Sequence, residues 1–165
     1  MADSSAAVID SAELREALHS CLGVHRFVEE VVAGAPYATS DDLLATADRV
    51  AASLTPAEVD EALAHHPRIG ERAQGEGRAQ QFSRGEQAAA EASDADLVDA
   101  IAAGNAEYEA RFDRVFLIRA AGRSRAEILA ELTRRLRLDD AAEAATVASE
   151  LHGITMLRLQ SLYPH

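Results

Sequence analysis

Hydrophobic residues recur along most of the chain at the three- and four-residue spacing of amphipathic α-helices. Near the amino terminus, Leu14, Leu18 and Leu22 follow one another at intervals of four residues. Residues at this spacing share one face of a helix, so they predict a helix with one apolar face. Similar patterns continue almost to the carboxyl terminus, and no long segment alternates between apolar and polar residues as a half-buried strand does. The pattern predicts an all-α protein.

Capping signals set the boundaries of the predicted helices. Two capping boxes are present, Thr55-Pro56-Ala57-Glu58 and Ser124-Arg125-Ala126-Glu127, and the first has proline at the first helical position. The predicted helices run from Asp10, which pairs with Glu13, to Gly23; from His25 to Ala33; from the cap Ser40 through Val50; from Thr55 to His66; from Ser83; from Ser93 to about Phe112; from Ser124; and from about Asp140, with Glu143 as capping partner, to the end. We predict that these segments form a single-domain bundle of about eight helices spanning residues 1–165.

Two segments do not fit the helical pattern. Residues 68–82 are polar, contain Gly70, Gly75 and Gly77, and lack apolar periodicity, so we predict a long loop between the fourth and fifth helices. Loops longer than about a dozen residues are usually functional or disordered, so this one is either a lid or a disordered connector. The apolar run Val115–Arg119 is either a strand or buried extended chain. Residues 1–9 are predicted to be a flexible amino terminus.

Composition excludes several classes of function. The net charge of −12 argues against a nucleic-acid partner, which needs a basic surface. No window approaches the roughly 20 consecutive apolar residues of a membrane helix, and the first residues lack the pattern of a signal peptide. All basic residues are arginine, so no lysine can form a Schiff base or serve a nucleotide-binding loop. Cys21 is the only cysteine, which fits a reducing cytoplasm.

The densest chemistry in the chain lies at His65-His66-Pro67-Arg68. Proline disfavours the α conformation at His66, so a helix ending there places the imidazole at the end of a rigid element, where a catalytic side chain is usefully held. The alternative is a solvated histidine at a helix carboxyl terminus. The spacing of the six histidines matches no metal-binding pattern, so we expect no metal site.

Two further segments could contribute to a site. In Ser83-Arg84-Gly85-Glu86-Gln87, a helix amino terminus could meet an anion, and the carboxylate could orient a nearby imidazole; a capped surface helix is the alternative. The run that ends in Ile118-Arg119-Ala120-Ala121-Gly122 could present backbone groups to a ligand; a core segment ending in a turn is the alternative.

These three segments, in this order, resemble the 2-oxo-4-hydroxy-4-carboxy-5-ureidoimidazoline (OHCU) decarboxylases of urate breakdown. The resemblance covers nearly the whole chain, and His66-Pro67-Arg68-Ile69-Gly70-Glu71 is its most specific marker. The sequence departs from the family pattern at Asp113-Arg114, where the family usually has a glycine followed by Phe or His. The other matching positions are Cys21, Arg26-Phe27, Pro36-Tyr37, Ser83, Glu86-Gln87, Asn105, Tyr108, Phe112, Gly122-Arg123-Ser124, Glu150, Ile154, Arg158 and Leu159.

The resemblance implies an all-helical enzyme without metal or organic cofactor that converts OHCU to (S)-allantoin and carbon dioxide. It implies that His66 is the principal acid/base residue and Glu86 its partner or a ligand of the ureido group. Substrate-binding residues would be Pro67, Ser83, Arg84, Gly85, Gln87, Ile118, Arg119, Ala120, Ala121 and Gly122. Enzymes of this family are often dimers, so a homodimer is an expectation.

Three questions stay open at the level of sequence. Arg68, Arg84 and Arg119 are candidate anchors for the substrate carboxylate, because guanidinium binds carboxylate through two parallel hydrogen bonds. Arg68 could instead pair with Glu71 or a nearby helix. The rival functions are a non-enzymatic helical interaction module, which would have no use for His66, and a related lyase or hydrolase acting on another ureido or imidazole compound.

Overall fold

The computed structural model describes residues 11–64, 66 and 95–164, which form seven α-helices and no β-strand. The helices are α1 (Ser11–Cys21), α2 (His25–Ala33), α3 (Ser40–Ala51), α4 (Pro56–Leu63), α5 (Ala95–Phe112), α6 (Arg125–Arg135) and α7 (Asp140–Leu162). They make a single all-α domain, as the hydrophobic periodicity predicts. The predicted helix from Ser83, the predicted caps Asp10 and Ser93, the loop 68–82 and the terminus 1–9 lie outside the described residues.

Both predicted capping boxes are present. At the start of α4, the Thr55 hydroxyl accepts a hydrogen bond from the Glu58 N–H, and the Glu58 carboxylate accepts one from the Thr55 N–H at 2.8 Å. Ser124 and Glu127 make the same reciprocal bonds at the start of α6. These bonds satisfy N–H groups that lack a partner within the helix, and a cap of this kind contributes about 1 kcal/mol.

Two other predicted caps were wrong. The N-cap of α3 is Thr39, whose hydroxyl accepts a hydrogen bond from the first turn, and Ser40 is already helical. The N-cap of α7 is Asp139, whose carboxylate does the same. Glu143 is not a capping partner, because its side chain is fully buried and is bound elsewhere. The start of α3 is therefore one residue earlier than predicted, whereas α7 begins at Asp140, as predicted.

The apolar faces of the helices form two clusters. Helix α7 packs against α1, α3 and α4, while α1 packs on α2 and α2 on α3; separately, α5 packs on α6. The first cluster contains Leu14, Leu18, Cys21, Leu22, Val24, Phe27, Val28, Val31, Tyr37, Leu43, Leu44, Ala47, Val50, Ala51, Val59, Ala62, Leu63, Leu117, Val147, Leu151, Ile154 and Leu159. The second cluster contains Ile101, Tyr108, Phe112, Phe116, Ile118, Ala120, Ile128 and Leu132.

The apolar run after α5 links the two clusters. It is not a strand, and Phe116, Leu117 and Ile118 are buried, so of the two predicted alternatives, strand or buried extended chain, the second agrees with the structure. Leu117 belongs to the first cluster, whereas its neighbours Phe116 and Ile118 belong to the second. Successive side chains of extended backbone point to opposite sides, which explains this alternation. The segment therefore packs against the first hydrophobic cluster on one side and the second on the other.

The departure from the family pattern at Asp113 falls on a special backbone position. Asp113 follows the last residue of α5 in the left-handed conformation, with φ of 54°, and its N–H donates to the Glu109 carbonyl at 2.9 Å. Glycine adopts this conformation at no steric cost, and aspartate is among the residues that tolerate it. The substitution therefore keeps the turn that a glycine would make there.

Candidate functional site

His66 lies just beyond the end of α4. The helix ends at Leu63, slightly earlier than predicted, and the His66 N–H donates to the Leu63 carbonyl at 3.0 Å. The residue is half-buried, and its Nε2 atom is shielded from solvent. The backbone at the end of a packed helix thus holds the imidazole, whose Nε2 atom is shielded although the residue as a whole is partly exposed.

The start of α4 is attached to α2 through Arg26. Its Nε and Nη2 atoms donate to the two carboxylate oxygens of Glu58, at 2.6 and 3.0 Å, and its Nη1 donates to Glu30 at 2.9 Å. Nη2 also donates to the Ser53 carbonyl at 3.0 Å. Hydrogen bonds from Arg26 and from the Thr55 N–H lower the pKa of the Glu58 carboxyl to about 2. This bidentate pair fixes the helix that presents the candidate imidazole.

The predicted ligand-binding run alternates between buried and exposed residues until it turns. Ile118 and Ala120 are buried, while Arg119 and Ala121 are exposed. Gly122 has φ of 77°, a conformation that favours glycine, and the following N–H, that of Arg123, donates to the Ala120 carbonyl at 3.1 Å. The run is thus an extended segment closed by a tight turn, and it exposes the side chain of Arg119 rather than burying it.

Two charged side chains anchor the backbone of this segment. Arg135 Nη1 donates to the Leu117 carbonyl at 2.7 Å. On the other side, Glu150 Oε2 accepts a hydrogen bond from the Arg119 N–H at 2.9 Å, and Glu150 Oε1 lies 3.5 Å from Arg123 Nη2. The peptide units on both sides of Ile118 are therefore held by side chains from α6 and α7.

Arg135 belongs to a fully buried polar cluster. Its Nε atom donates to both carboxylate oxygens of Glu143, at 3.0 and 3.1 Å, and both side chains have 0% exposure. The Tyr108 hydroxyl donates to the same carboxylate at 2.5 Å, and the guanidinium lies 4.6 Å from the centre of the Phe116 ring. Burial, and then the bond to Glu143, raises the pKa of Tyr108 above its usual range. Every charge is matched, as a buried ion pair requires.

Sequence reasoning missed this cluster, although the periodicity contains a signal for it. Arg135 lies seven residues after Ile128, on the apolar face of α6, and Glu143 lies four residues before Val147, on the apolar face of α7. Opposite charges that both interrupt apolar faces have to be paired when buried. The interpretation of Glu143 as a capping residue concealed this pattern.

Helix α7 is the element shared by the described parts of the site. It packs against α4, which leads to His66, and it supplies Glu150 to the ligand-binding run. Ile154 and Arg158 follow at intervals of four, so they share the face of Glu150. Arg158 is buried, and its Nη1 donates to the Cys21 carbonyl at 3.4 Å. This face thus carries a carboxylate and a buried guanidinium about two helical turns apart.

Several predicted site residues lie outside the part of the chain that the structure describes. They are Pro67, Arg68, Ser83, Arg84, Gly85, Glu86 and Gln87. Their place relative to His66 stays a prediction. Of the predicted set, the described residues are His66 and Ile118–Gly122.

The described part of the chain was also searched for cavities, metal-binding clusters and membrane-spanning helices. A surface cavity of about 520 Å³ lies between α1, α2 and α4, and it is lined by neither His66 nor any residue of Ile118–Gly122, the predicted site residues that the structure describes. In residues 11–64, 66 and 95–164, no group of three or more His, Cys, Asp or Glu side chains could hold a metal ion. None of the seven described helices combines the length and apolar character needed to cross a bilayer.

Comparison with known proteins gives a consistent result. The family model for OHCU decarboxylase matches residues 8–160. A crystal structure of OHCU decarboxylase in the presence of (S)-allantoin matches with a TM-score of 0.77 and 27% identity, over 91% of this chain and 99% of that one. A crystal structure of (S)-allantoin synthase matches with a TM-score of 0.65 and 17% identity, over 93% of this chain and 50% of that one, a likeness of fold. No curated protein sequence gives a significant match.

Proposed function

Because this chain belongs to the OHCU decarboxylase family, we propose that it is a carbon-carbon lyase that converts OHCU to (S)-allantoin and carbon dioxide in urate degradation. The observation that carries the proposal is the likeness to the OHCU decarboxylase solved in the presence of (S)-allantoin, which extends over 99% of that chain. The likeness therefore covers the whole catalytic unit of that protein rather than one shared motif.

The proposed active site combines His66 with residues that follow it in the chain. His66 is the acid/base residue, and Glu86 orients it or binds the ureido group. The half-buried position and shielded Nε2 of His66 support this role, because an imidazole away from bulk water can exchange a proton with a bound ligand. Ser83, Arg84, Gly85 and Gln87 line the pocket, and Pro67 and the Ile118–Gly122 backbone complete the binding surface.

The proposed reaction needs neither a metal nor an organic cofactor. When the bond between the ring carbon and the carboxylate breaks, its electron pair moves into the carbonyl and imine-type acceptors of the ring. One proton then completes the product, and its delivery from one face gives one enantiomer. A positioned acid/base contributes about 10² to 10⁴ in rate, and orientation in a closed pocket contributes more.

Among the three candidate anchors of the substrate carboxylate, the exposure of Arg119 argues against that residue. Arg119 is exposed, so its guanidinium meets competition from water. We therefore assign the carboxylate to Arg68 or Arg84. The arginine should bind the carboxylate only moderately tightly, because stabilising the departing carboxylate in the ground state raises the barrier to its loss.

The test is His66→Asn, assayed with freshly generated urate-oxidation intermediates while circular dichroism follows (S)-allantoin. We expect the variant to keep the helical spectrum and melting temperature of the wild type and to lose at least 100-fold in rate, the lower range for a positioned acid/base. His19→Asn, an exposed histidine of α1, is the matched control and should retain full activity. Wild-type rates in His66→Asn would exclude this mechanism, and a wild-type protein without activity would favour an interaction module or another ureido substrate.

We further propose that the enzyme acts in the cytoplasm as a homodimer. The single cysteine is buried in α1 and forms no disulfide, which fits a reducing compartment. Sedimentation of the purified chain at micromolar concentration tests the association, and a monomer at all concentrations would exclude it.

A further inference from the structure

The segment predicted to bind substrate is held at two successive peptide units. Arg135 binds the carbonyl of the unit that joins Leu117 to Ile118, and Glu150 binds the N–H of the unit that joins Ile118 to Arg119. Arg135 has 0% exposure and the Glu150 side chain 16%, so both anchors are largely withdrawn from water. Ile118 is thus the one residue that lies between the two anchored groups.

Because peptide bonds are planar, the two anchors also fix the directions of the Ile118 N–H and C=O groups. In a trans peptide unit the C=O and the N–H point in opposite directions, and neither of these two bonds is cis. The Ile118 N–H therefore points away from Arg135, and the Ile118 C=O points away from Glu150. One anchor sets the direction of a donor, and the other sets the direction of an acceptor.

We propose that Glu150 and Arg135 are positioning residues that aim the N–H and C=O of Ile118 at the substrate. OHCU carries both amide N–H and carbonyl groups, which match a fixed donor and a fixed acceptor. The inference rests on the proposed function, in which the Ile118–Gly122 backbone contacts the ligand. Neither positioning residue needs to touch the substrate itself.

Glu150 does more than form a surface ion pair. Its bond to the Arg119 N–H is 2.9 Å long, whereas the closest approach to Arg123 Nη2 is 3.5 Å. Arg119 and Arg123 flank the turn at Gly122, so one carboxylate holds the chain before and after it. A charged acceptor on a backbone N–H is about twice as strong as a neutral one, which makes the backbone bond the main contact.

The experiment compares three variants of the full chain by steady-state kinetics on OHCU. In Glu150→Ala the acceptor for the Arg119 N–H is lost, and we expect KM to rise about tenfold with kcat changed by less than about threefold, the pattern of lost uniform binding. In Glu150→Gln the amide oxygen still accepts that bond, so KM should stay within about threefold of the wild type. Arg123→Ala keeps the backbone bond and should resemble the wild type.

A second readout follows the backbone directly by NMR. The Arg119 amide should exchange with solvent faster in Glu150→Ala than in Glu150→Gln, and (S)-allantoin should shift the Ile118 amide less in Glu150→Ala than in the wild type. If Glu150→Ala folds poorly, Glu150→Met, which also lacks an acceptor, takes its place in the same comparison.

The outcomes separate this inference from the proposed function. An inactive wild type would refute the proposed function, while the Ile118 shift with (S)-allantoin would still decide the positioning role. Unchanged KM in Glu150→Ala, or an equal Ile118 shift in both proteins, would overturn the positioning role even in an active enzyme. Equal losses in Glu150→Ala, Glu150→Gln and Arg123→Ala would also overturn it, because they would trace the effect to the ion pair.

Discussion

Two arginine clusters support the two described parts of the site, and they differ mainly in burial. Arg26 and Arg135 each bind a glutamate through more than one nitrogen, and each donates to a backbone carbonyl. The Arg26 side chain is 35% exposed, whereas that of Arg135 has no exposure. Water can replace a lost partner at the first cluster and cannot reach the second. The same bonds therefore have different consequences when one of them is removed.

The contrast extends to what each cluster holds. The Arg26 cluster binds the carbonyl of Ser53 and the first turn of α4, the helix that leads to His66. The Arg135 cluster binds the carbonyl of Leu117, next to the proposed ligand-binding backbone. The helix that leads to His66 is thus held by a cluster in which water can replace a lost partner. The proposed ligand-binding backbone is held by a buried cluster in which water cannot. Disturbing the second cluster should affect stability and ligand binding together.

The largest effect is expected for Glu143→Leu. This change leaves the Arg135 guanidinium buried without its counter-charge and removes the acceptor of the Tyr108 hydroxyl. Loss of one partner of a buried ion pair costs about 3–5 kcal/mol, so the free energy of unfolding should fall by this amount in urea denaturation. Glu131→Leu is the matched control, because Glu131 pairs with Arg134 on α6, the helix that carries Arg135, and both of these side chains are partly exposed; it should change stability by less than about 0.5 kcal/mol.

A double variant decides whether burial of charge is the cause. Arg135→Met combined with Glu143→Leu removes both charges together, and replacing a buried pair with apolar residues is often neutral. We expect the double variant to be more stable than Glu143→Leu alone. A double variant less stable than either single one would show that hydrogen bonds, including that to the Leu117 carbonyl, outweigh the charge.

An intermediate effect is expected where α5 meets α6 beside the buried cluster. A Cβ atom added at Gly104 would lie 2.4 Å from Leu132 Cδ2, and Leu132 is fully buried three residues before Arg135. Overpacking of this kind costs about 1–3 kcal/mol, so Gly104→Ala should lower the melting temperature. At Gly153 of α7 an added Cβ meets no described atom within 4 Å, so Gly153→Ala should raise stability by about 0.5–1 kcal/mol. If both substitutions changed the stability equally, α6 would have to move away from the added methyl group at residue 104 without loss of stability.

These supports show where prediction from sequence succeeded and where it could not. The seven described helices and both capping boxes follow from local spacing, and the structure confirms them, because caps and amphipathic faces are local properties. The family also followed from sequence, through the motif that begins at His66. The Arg135–Glu143 pair joins two helices, and the carboxylate of Glu150 meets a backbone N–H 31 residues away in the chain. Such contacts depend on packing, which local patterns do not encode. Arg119 illustrates the same limit: its backbone is anchored, while its charged side chain, a candidate anchor, is exposed.

The smallest effect is expected at the exposed cluster, and pH separates it from the buried one. Glu58 has a pKa of about 2 in the folded protein against an ordinary value of 4.5, so its stabilisation is complete above pH 4.5 and is lost as pH falls towards 2. Glu58→Gln should cost about 1 kcal/mol at neutral pH, and the difference from the wild type should shrink through that window. It should also shrink in 1 M salt, where the screening length is about 3 Å, whereas the penalty of Glu143→Leu should not. Urea denaturation of each pair at pH 7, 4 and 2.5 measures this, and a Glu58 difference that is constant across the range would show that the stabilisation does not arise from the charge of Glu58.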